Sequence, residues 1–397
     1  MKYVVVQGDG MADHPQEELS GQTPLEAAET PNMDSIASTG VLGRVTTVPE
    51  GTPPGSAVGN LSLMGLDPKK YYSGRAPLEA KGLGVAIEKT DIAFRCNLVR
   101  FGKNGDTEIM EDYSGGHPSP QLSNRLIDSL DKELGNEEFR FYPGVSYRNV
   151  LIWKGGNQKA NLEDINLTPP HDITGEPVLH YLPEGPGSQR LNELQNGAKD
   201  LLGGKDDEIN GVWFWGTGIK PDIPTLQNRY GLGGAVISAV DLVRGLGSYA
   251  GLSPVEVKGA TGLIDTNYEG KVQAVKDNIA DESLIYLHIE APDEASHMGK
   301  LELKLEAIER IDRRVVGPLI EYLREENDAR LLLATDHITG IKSRTHERGP
   351  VPFAIFEPQR TGKDPRNDFS EKSAAKTGRE FPNGHELMNF FILEGQK

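Results

Sequence analysis

Leu284-Ile-Tyr-Leu-His-Ile289, followed by Asp293-Glu-Ala-Ser-His297 and then by Leu331-Leu-Leu-Ala334 with Asp336-His337, is the stretch whose pattern decides the fold. Two short aliphatic runs without polar alternation have the pattern of strands buried on both faces. Between them Leu301, Leu305, Ile308, Ile311 and Val315 recur at helical spacing, the stripe of an amphipathic helix. Pro318, after Gly317, is expected to kink or end that helix. Strand, long crossover and strand make a right-handed parallel unit. The N-terminal run Tyr3–Val6 leads to Asp9 in the same way. Functional groups of open parallel sheets gather beyond the carboxyl ends of the strands. Asp9, Asp293 and Asp336 are therefore expected on one rim of one sheet.

Further strands at Val41–Val48, Gly234–Val240 and Val351–Phe356 fit that sheet, and helices are expected at Thr30–Thr39, Val240–Tyr249 and Gly270–Ile279. Pro31 at a first helical position and Asp34 in the first turn mark one of these helix starts. From Asp91 to Pro221 the pattern changes to scattered strands, Gly/Pro turns and polar stretches such as Lys154-Gly-Gly-Asn-Gln158. The predicted architecture is α/β, a mostly parallel sheet flanked by helices, with an inserted α+β domain. Residues 1–90 and 222–397 would form a discontinuous domain bearing the acidic rim, and residues 91–221 an inserted substrate-binding and lid domain.

Composition narrows the partners. Forty-two basic against 59 acidic residues give a net charge of −17, which excludes nucleic acid as the main partner. No apolar run approaches the roughly 18 residues of a membrane span. The opening Met1–Val6 is too short for a signal peptide before Gly8-Asp9-Gly10, so a cytoplasmic chain is expected. The single cysteine, Cys96, rules out an internal disulfide or a cysteine-built zinc site and is expected to be buried.

Asp293 and His297 are four residues apart and would share one helical face. Asp336-His337 supplies another carboxylate and imidazole, and His346 follows in the next loop. Oxygen and imidazole donors without thiolate suit divalent ions such as Mn²⁺ or Zn²⁺. In Gly51-Thr-Pro-Pro-Gly-Ser56-Ala-Val-Gly-Asn60, Ser56 falls near the start of a helix. It is either a capping residue or a hydroxyl available as a nucleophile beside a cation. The segment 91–221 offers Arg95, His117, Arg148, His171 and Asp172 as groups for an anionic substrate, with Lys220 at the return crossing and Arg75 in the Gly-Arg-Ala-Pro loop. His14, His180, His288 and His385 have no partner pattern and are expected to be structural.

Gly8-Asp-Gly-Met-Ala-Asp13, Pro54-Gly-Ser-Ala-Val-Gly-Asn-Leu61, Tyr72-Ser-Gly-Arg-Ala-Pro-Leu-Glu-Ala80, Ala291–His297, Thr335-Asp-His337 and Thr345-His-Glu-Arg-Gly-Pro-Val-Pro352 together resemble the archaeal-type, 2,3-bisphosphoglycerate-independent phosphoglycerate mutases of the alkaline phosphatase superfamily, across the whole chain and in order. The resemblance implies an alkaline-phosphatase-like fold and a glycolytic isomerase interconverting 3-phosphoglycerate and 2-phosphoglycerate through a phosphoserine at Ser56, with no bisphosphoglycerate cofactor. It implies two divalent ions, Mn²⁺ foremost with Mg²⁺, Zn²⁺ and Co²⁺ as alternatives. Asp9, Ser56, Asp336 and His337 would surround one ion, and Asp293, His297 and His346 the other. The serine segment and the stretch from Tyr71 also resemble a bacterial side-branch proposed to act as homoserine kinases. Asn60 stands where more typical archaeal-type mutases have histidine, so homoserine with ATP is the alternative substrate pair.

Overall fold

A computed structural model describes residues 1–204, 208–325, 328–358, 364 and 367–394. The chain divides into two compact units, Met1–Tyr72 with Asp222–Lys397, and Ser73–Pro221. Strands β1 (Lys2–Gly8) and β2 (Val41–Val45) precede the second unit. That unit carries β3 (Ile92–Asn104), β4 (Thr107–Asp112), β5 (Phe139–Val145), β6 (Arg148–Trp153) and β7 (Gly211–Gly218). The chain then returns through β8 (Gly234–Ile237), β9 (Leu252–Val255), β10 (Leu284–Ile289), β11 (Ala329–Ala334), β12 (Ile338–Thr339), β13 (His346–Glu347), β14 (Val351–Phe356) and β15 (Glu380–Phe381).

In the first unit the sheet order is β15-β2-β14-β11-β1-β10-β8-β9. The three runs that end at carboxylates are its centre. β1 is parallel to β10, with Val4 opposite Ile285, and parallel to β11, with Val4 opposite Leu331. Every residue of β10 and β11 is buried, which is why these strands have no polar alternation. β14 is antiparallel to both β11 and β2, so the sheet is mostly rather than wholly parallel. Asp9, Asp293 and Asp336 thus leave three adjacent strands at the same end.

The crossover from β10 to β11 is built of more pieces than the sequence suggests. A short helix, Ala291–His297, carries Asp293 and His297; the chain then breaks at Gly299, whose φ is 67°, before Leu301–Ile311. Leu301 and Leu305 are only half buried, and the buried face is Lys304, Ala307, Ile308 and Ile311. Pro318 does not end the helix. A π turn at Asp312–Val316 widens the backbone just before it, and helix continues over Gly317–Glu325. The wider turn accommodates a ring that lacks an N–H and would crowd the preceding turn.

In the second unit β3 pairs with β4, β6 and β7 along its thirteen residues. The helices Pro120–Leu134 and Ser188–Leu202 cover one face, packing Leu126, Ile127, Leu191 and Leu194 with Ile92, Phe94, Cys96 and Leu98. Cys96 is buried, and burial pushes its thiol up. The first boundary differs from the sequence expectation of residue 91. Ala76, Ala80, Val85 and Ile87 are buried against Ala93, Val150 and Ile152, so residues 73–90 belong with the second unit. Among the described residues no helix is long and apolar enough to cross a membrane.

Candidate functional site

Ser56 opens the helix Ser56–Leu63, whose N-cap is Gly55 and whose cap makes no side-chain hydrogen bond. The Ser56 hydroxyl is therefore not used in capping. Gly55 has a φ of 143°, which strains any side chain, and a Cβ there would lie 3.3 Å from His346 Nδ1, so His346 would also have to give slightly. At Gly59 the helix rides directly on the Asp336 backbone. Asn60 fixes the same junction: its Nδ2 donates to Ser56 O at 2.9 Å and to Asp336 Oδ2 at 3.1 Å, and its Oδ1 accepts from the Tyr286 hydroxyl at 2.7 Å. Ser56 Oγ consequently lies 3.3 Å from His337 Nε2.

Around that nitrogen the rim converges. His337 Nε2 is 3.3 Å from Asp9 Oδ1 and 3.2 Å from Asp336 Oδ2. His297 Nε2 is 3.1 Å from Asp293 Oδ2 and 3.0 Å from His346 Nε2, and His346 Nε2 is 3.6 Å from Asp293 Oδ1. Asp9, Asp336 and His337 form one group of potential ligands within 4.8 Å of one another, and Asp293, His337 and His346 form a second. All seven metal-site residues expected from the sequence are thus brought together.

Hydrogen-bond direction tests whether cations fit. Thr339 Oγ1 donates to Asp293 Oδ1 at 2.6 Å, because an ionised carboxylate only accepts. It must then accept from His337 Nδ1, 3.0 Å away. His337 is kept neutral, its pKa driven well below the usual value by burial and by His346. Its Nε2 therefore presents a bare lone pair to Asp9 Oδ1, which itself makes no hydrogen bond. His297 Nδ1 donates to the Arg344 carbonyl at 2.9 Å, which turns its Nε2 inward as well. Acceptors facing acceptors are stable only with protons or cations among them, and carboxylate with imidazole is a suitable donor set for divalent ions.

Without cations, protons serve this role. Burial, with Asp336 and Asp293 nearby, raises the Asp9 carboxyl well above its usual range, and burial with Asp293 lifts Asp336 to about 7. Burial alone would raise Asp293, but hydrogen bonds from His297 and His346 hold it well below. Burial opposes charge on His297, yet its bond to Asp293 carries it up to about 9.

In the second unit Arg75 Nε lies 2.7 Å from Glu79 Oε1 and Arg95 Nε 2.9 Å from Glu79 Oε2. Burial would raise the Glu79 carboxyl, but Arg95, Arg75 and Arg148 keep it low. Three guanidinium groups around one carboxylate leave an excess of positive charge. Aromatic contacts extend the group: His117 meets Tyr147, Tyr147 meets Tyr113, Tyr113 meets His171, and His171 meets Trp215, over which Arg95 stacks at 4.2 Å. Arg75, Arg95, His117, Arg148 and His171 are thus gathered in one network. Asp172 is exposed at its edge, 3.7 Å from His171, and Lys220 follows the end of β7 in the chain.

Residues not singled out as part of the site also support it. Lys304 is fully buried, with Nζ 2.8 Å from Asp13 Oδ2 and 2.7 Å from Thr339 O. It lies three residues past Leu301 and four before Ile308, so a lysine on an apolar helical face was its signal. His288 interrupts the aliphatic β10 run, and its Nε2 lies 2.8 Å from Asp9 Oδ2. Thr339 has no comparable local signal.

Residues 37–210 match the family model of 2,3-bisphosphoglycerate-independent phosphoglycerate mutase. A relative in Geobacter sulfurreducens, named a probable mutase of that kind, is 44% identical over 99% of this chain and 100% of its own. A mutase of Methanothrix thermoacetophila is 46% identical with the same coverage. Among solved structures, a protein from Pyrococcus horikoshii superposes with a TM-score of 0.81 at 27% identity, covering 98% of this chain and 96% of that one. The cofactor-independent phosphoglycerate mutase of Thermoplasma acidophilum gives 0.65 at 25% identity, covering 99% of both chains. These names give no support to the homoserine kinase alternative, and Asn60 is accounted for by its bonds to Asp336, Tyr286 and the Ser56 carbonyl. The chain belongs to the 2,3-bisphosphoglycerate-independent phosphoglycerate mutase family.

Proposed function

We propose that this chain interconverts 3-phosphoglycerate and 2-phosphoglycerate with Ser56 as the phosphoryl acceptor. Ser56 Oγ forms a bond to phosphorus while the ester bond to the glycerate oxygen breaks, and the serine proton ends on that oxygen. The other glycerate hydroxyl then attacks the phosphoserine, and its proton returns to Ser56 Oγ. Both steps conserve atoms, so no bisphosphoglycerate is needed. The observation that carries the proposal is the Ser56 hydroxyl, uncapped and 3.3 Å from His337 Nε2, where the two ligand groups meet.

Asp9, Asp336, His337 and Ser56 would hold one divalent ion, and Asp293, His297 and His346 the other, with Mn²⁺ favoured. Bound there, such ions supply neutralisation of phosphoryl charge and a lower pKa for a neighbouring hydroxyl. The first turn of the Ser56 helix directs unpaired backbone N–H groups toward an anion. Asn60 and Gly59 hold that turn against Asp336, so the nucleophile is positioned before substrate arrives. In the second unit the Arg75, Arg95 and Arg148 group, with His117 and His171, is our candidate for holding the carboxylate and phosphate oxygens of the glycerate. A phosphorylated three-carbon acid is a metabolite of the cell interior, and a cytoplasmic location goes with this activity.

The test is a Mn²⁺-supplemented assay coupled through enolase, with 3-phosphoglycerate as substrate and no bisphosphoglycerate. The wild type turns over. Ser56→Ala loses activity by at least about 10³-fold, the scale for removing a nucleophile, while still binding Mn²⁺. Retained turnover in Ser56→Ala removes the serine from the reaction.

A further inference from the structure

His288 is fully buried at the end of β10, and both of its ring nitrogens are engaged. Nδ1 is 2.9 Å from Ser238 Oγ and Nε2 is 2.8 Å from Asp9 Oδ2. Donor and acceptor roles follow from the neighbours. The Val240 backbone N–H donates to Ser238 Oγ at 3.0 Å, leaving the hydroxyl hydrogen for an acceptor. Two are within reach, His288 Nδ1 at 2.9 Å and the Val240 carbonyl at 3.5 Å, and the shorter is the stronger. With Nδ1 accepting, Nε2 carries the ring proton and donates it to Asp9 Oδ2. That leaves Asp9 Oδ1 as the oxygen without a hydrogen bond, turned toward His337 Nε2.

A carboxylate on a single short stem can rotate about its last bond, and the Asp336 carboxylate and the His337 imidazole stand beside Asp9 on this rim. A donor on Oδ2 settles which oxygen faces the other ligands. An imidazole gives that donor without adding a formal charge to the rim. The backbone holds the parts in place: Asp9 N donates to Ile289 O at 2.9 Å, Gln7 stands opposite His288, and Lys271 Nζ donates to His288 O at 3.0 Å. Orienting hydrogen bonds of this kind are worth about 10–100-fold in metal affinity.

We propose that Ser238 and His288 form a positioning relay that turns Asp9 so that Oδ1 alone is offered as a metal ligand. The proposal rests on the two-ion arrangement given above. Ser238 fixes the histidine tautomer, and His288 fixes the carboxylate. Neither touches the reacting atoms.

The experiment is a Mn²⁺ titration of chelator-stripped protein, followed by equilibrium dialysis and by the electron paramagnetic resonance signal of free Mn²⁺. Asp9→Asn and Asp293→Asn identify which binding event belongs to which ligand group. His288→Leu and Ser238→Ala are expected to weaken the Asp9 event about 10–100-fold and to leave the Asp293 event within about threefold. His288→Gln and Ser238→Thr, which keep a donor at each position, should recover most of the loss. Should His288→Leu fail to fold, as judged by circular dichroism without metal, Ser238→Ala decides alone. Unchanged affinity for the Asp9 event in a folded variant overturns the relay, as does equal weakening of both events, or failure of both conservative variants to recover binding. A wild type that binds fewer than two ions overturns the two-ion arrangement itself, and the variants are not needed to see it.

Discussion

Replacing Gly59 by alanine sets two effects of opposite sign against each other. In an exposed helix interior the change stabilises by about 0.5–1 kcal/mol, because glycine loses more backbone entropy on folding. Here the added Cβ would lie 2.6 Å from the Asp336 carbonyl oxygen and 2.8 Å from Asp336 Cβ, where 3.4 Å is the near edge of ordinary contact. Relief requires the helix and the rim to separate by roughly 0.8 Å, the difference between those two distances. The obstructing atoms are backbone and Cβ, so no side-chain rotation provides it, and Asp336 O is further held by the Thr47 hydroxyl. Overpacking of this size costs about 1–3 kcal/mol, so the net effect on stability is a loss of up to roughly 2 kcal/mol. Catalysis should suffer more. Ser56 rides on the same short helix and moves with it, and displacement near 1 Å can cost about 10²-fold in rate. We expect kcat for 3-phosphoglycerate to fall roughly 10–100-fold in the coupled assay, with helix content by circular dichroism preserved and the urea midpoint modestly lower. A Gly59→Ala protein with wild-type kcat and a higher midpoint would refute the close packing of the serine helix on Asp336.

Metal-free protein should lose stability as pH rises from about 6.5 to 8. In that window folded His297, carried up to about 9 by its bond to Asp293, retains a proton that its unfolded counterpart releases, and Asp336, lifted by burial to about 7, holds one over the lower part of it, so the folded state binds more and stability falls. Below about 6.5 the buried neutral histidines His288 and His337 oppose the trend, because unfolding lets them take up protons. Each proton retained across the window is worth about 2 kcal/mol. Mn²⁺ should displace these protons and flatten the profile; a metal-free melting temperature that is constant or rises from pH 6.5 to 8 contradicts the assignment. Lys304→Met should destabilise by about 3–5 kcal/mol by leaving buried Asp13 without its cation, and Lys304→Met with Asp13→Asn should recover much of this in urea unfolding. A single-variant loss below 1 kcal/mol would show that the pair is dispensable. Arg148→Ala should raise KM about 10–100-fold, the worth of a charge-assisted hydrogen bond, with a smaller change in kcat. An unchanged KM in steady-state kinetics excludes Arg148 from substrate binding.

The central sheet was legible because its signal is local. An uninterrupted aliphatic run reports burial on both faces, and a carboxylate after each run reports the rim, so β1, β10 and β11 could be placed before any contact was known. The i, i+4 spacing of Asp293 and His297 is equally local, and their 3.1 Å approach follows from one turn of helix. Less was legible where packing decides. Leu301 and Leu305 have the apolar character of a core stripe, yet Lys304 is the residue that is fully buried, because Asp13 and the Thr339 carbonyl meet its charge there. Pro318 ordinarily breaks a helix, but a π turn upstream absorbs the misfit.

From the amino-acid order alone came the α/β architecture, the inserted unit, and the seven side chains that converge on the rim. Tertiary structure decided whether Ser56 caps its helix or presents a hydroxyl, which nitrogen of His337 and His297 faces inward, and which oxygen of Asp9 is left bare. It also assigned residues 73–90 to the second unit. The division has a physical cause. Periodicity and residue type report how often a position is buried, and they act over a few residues. Hydrogen-bond direction and close approach depend on atoms joined only by folding, as His288 is to Ser238 across 50 residues of sequence and to Asp9 across 279.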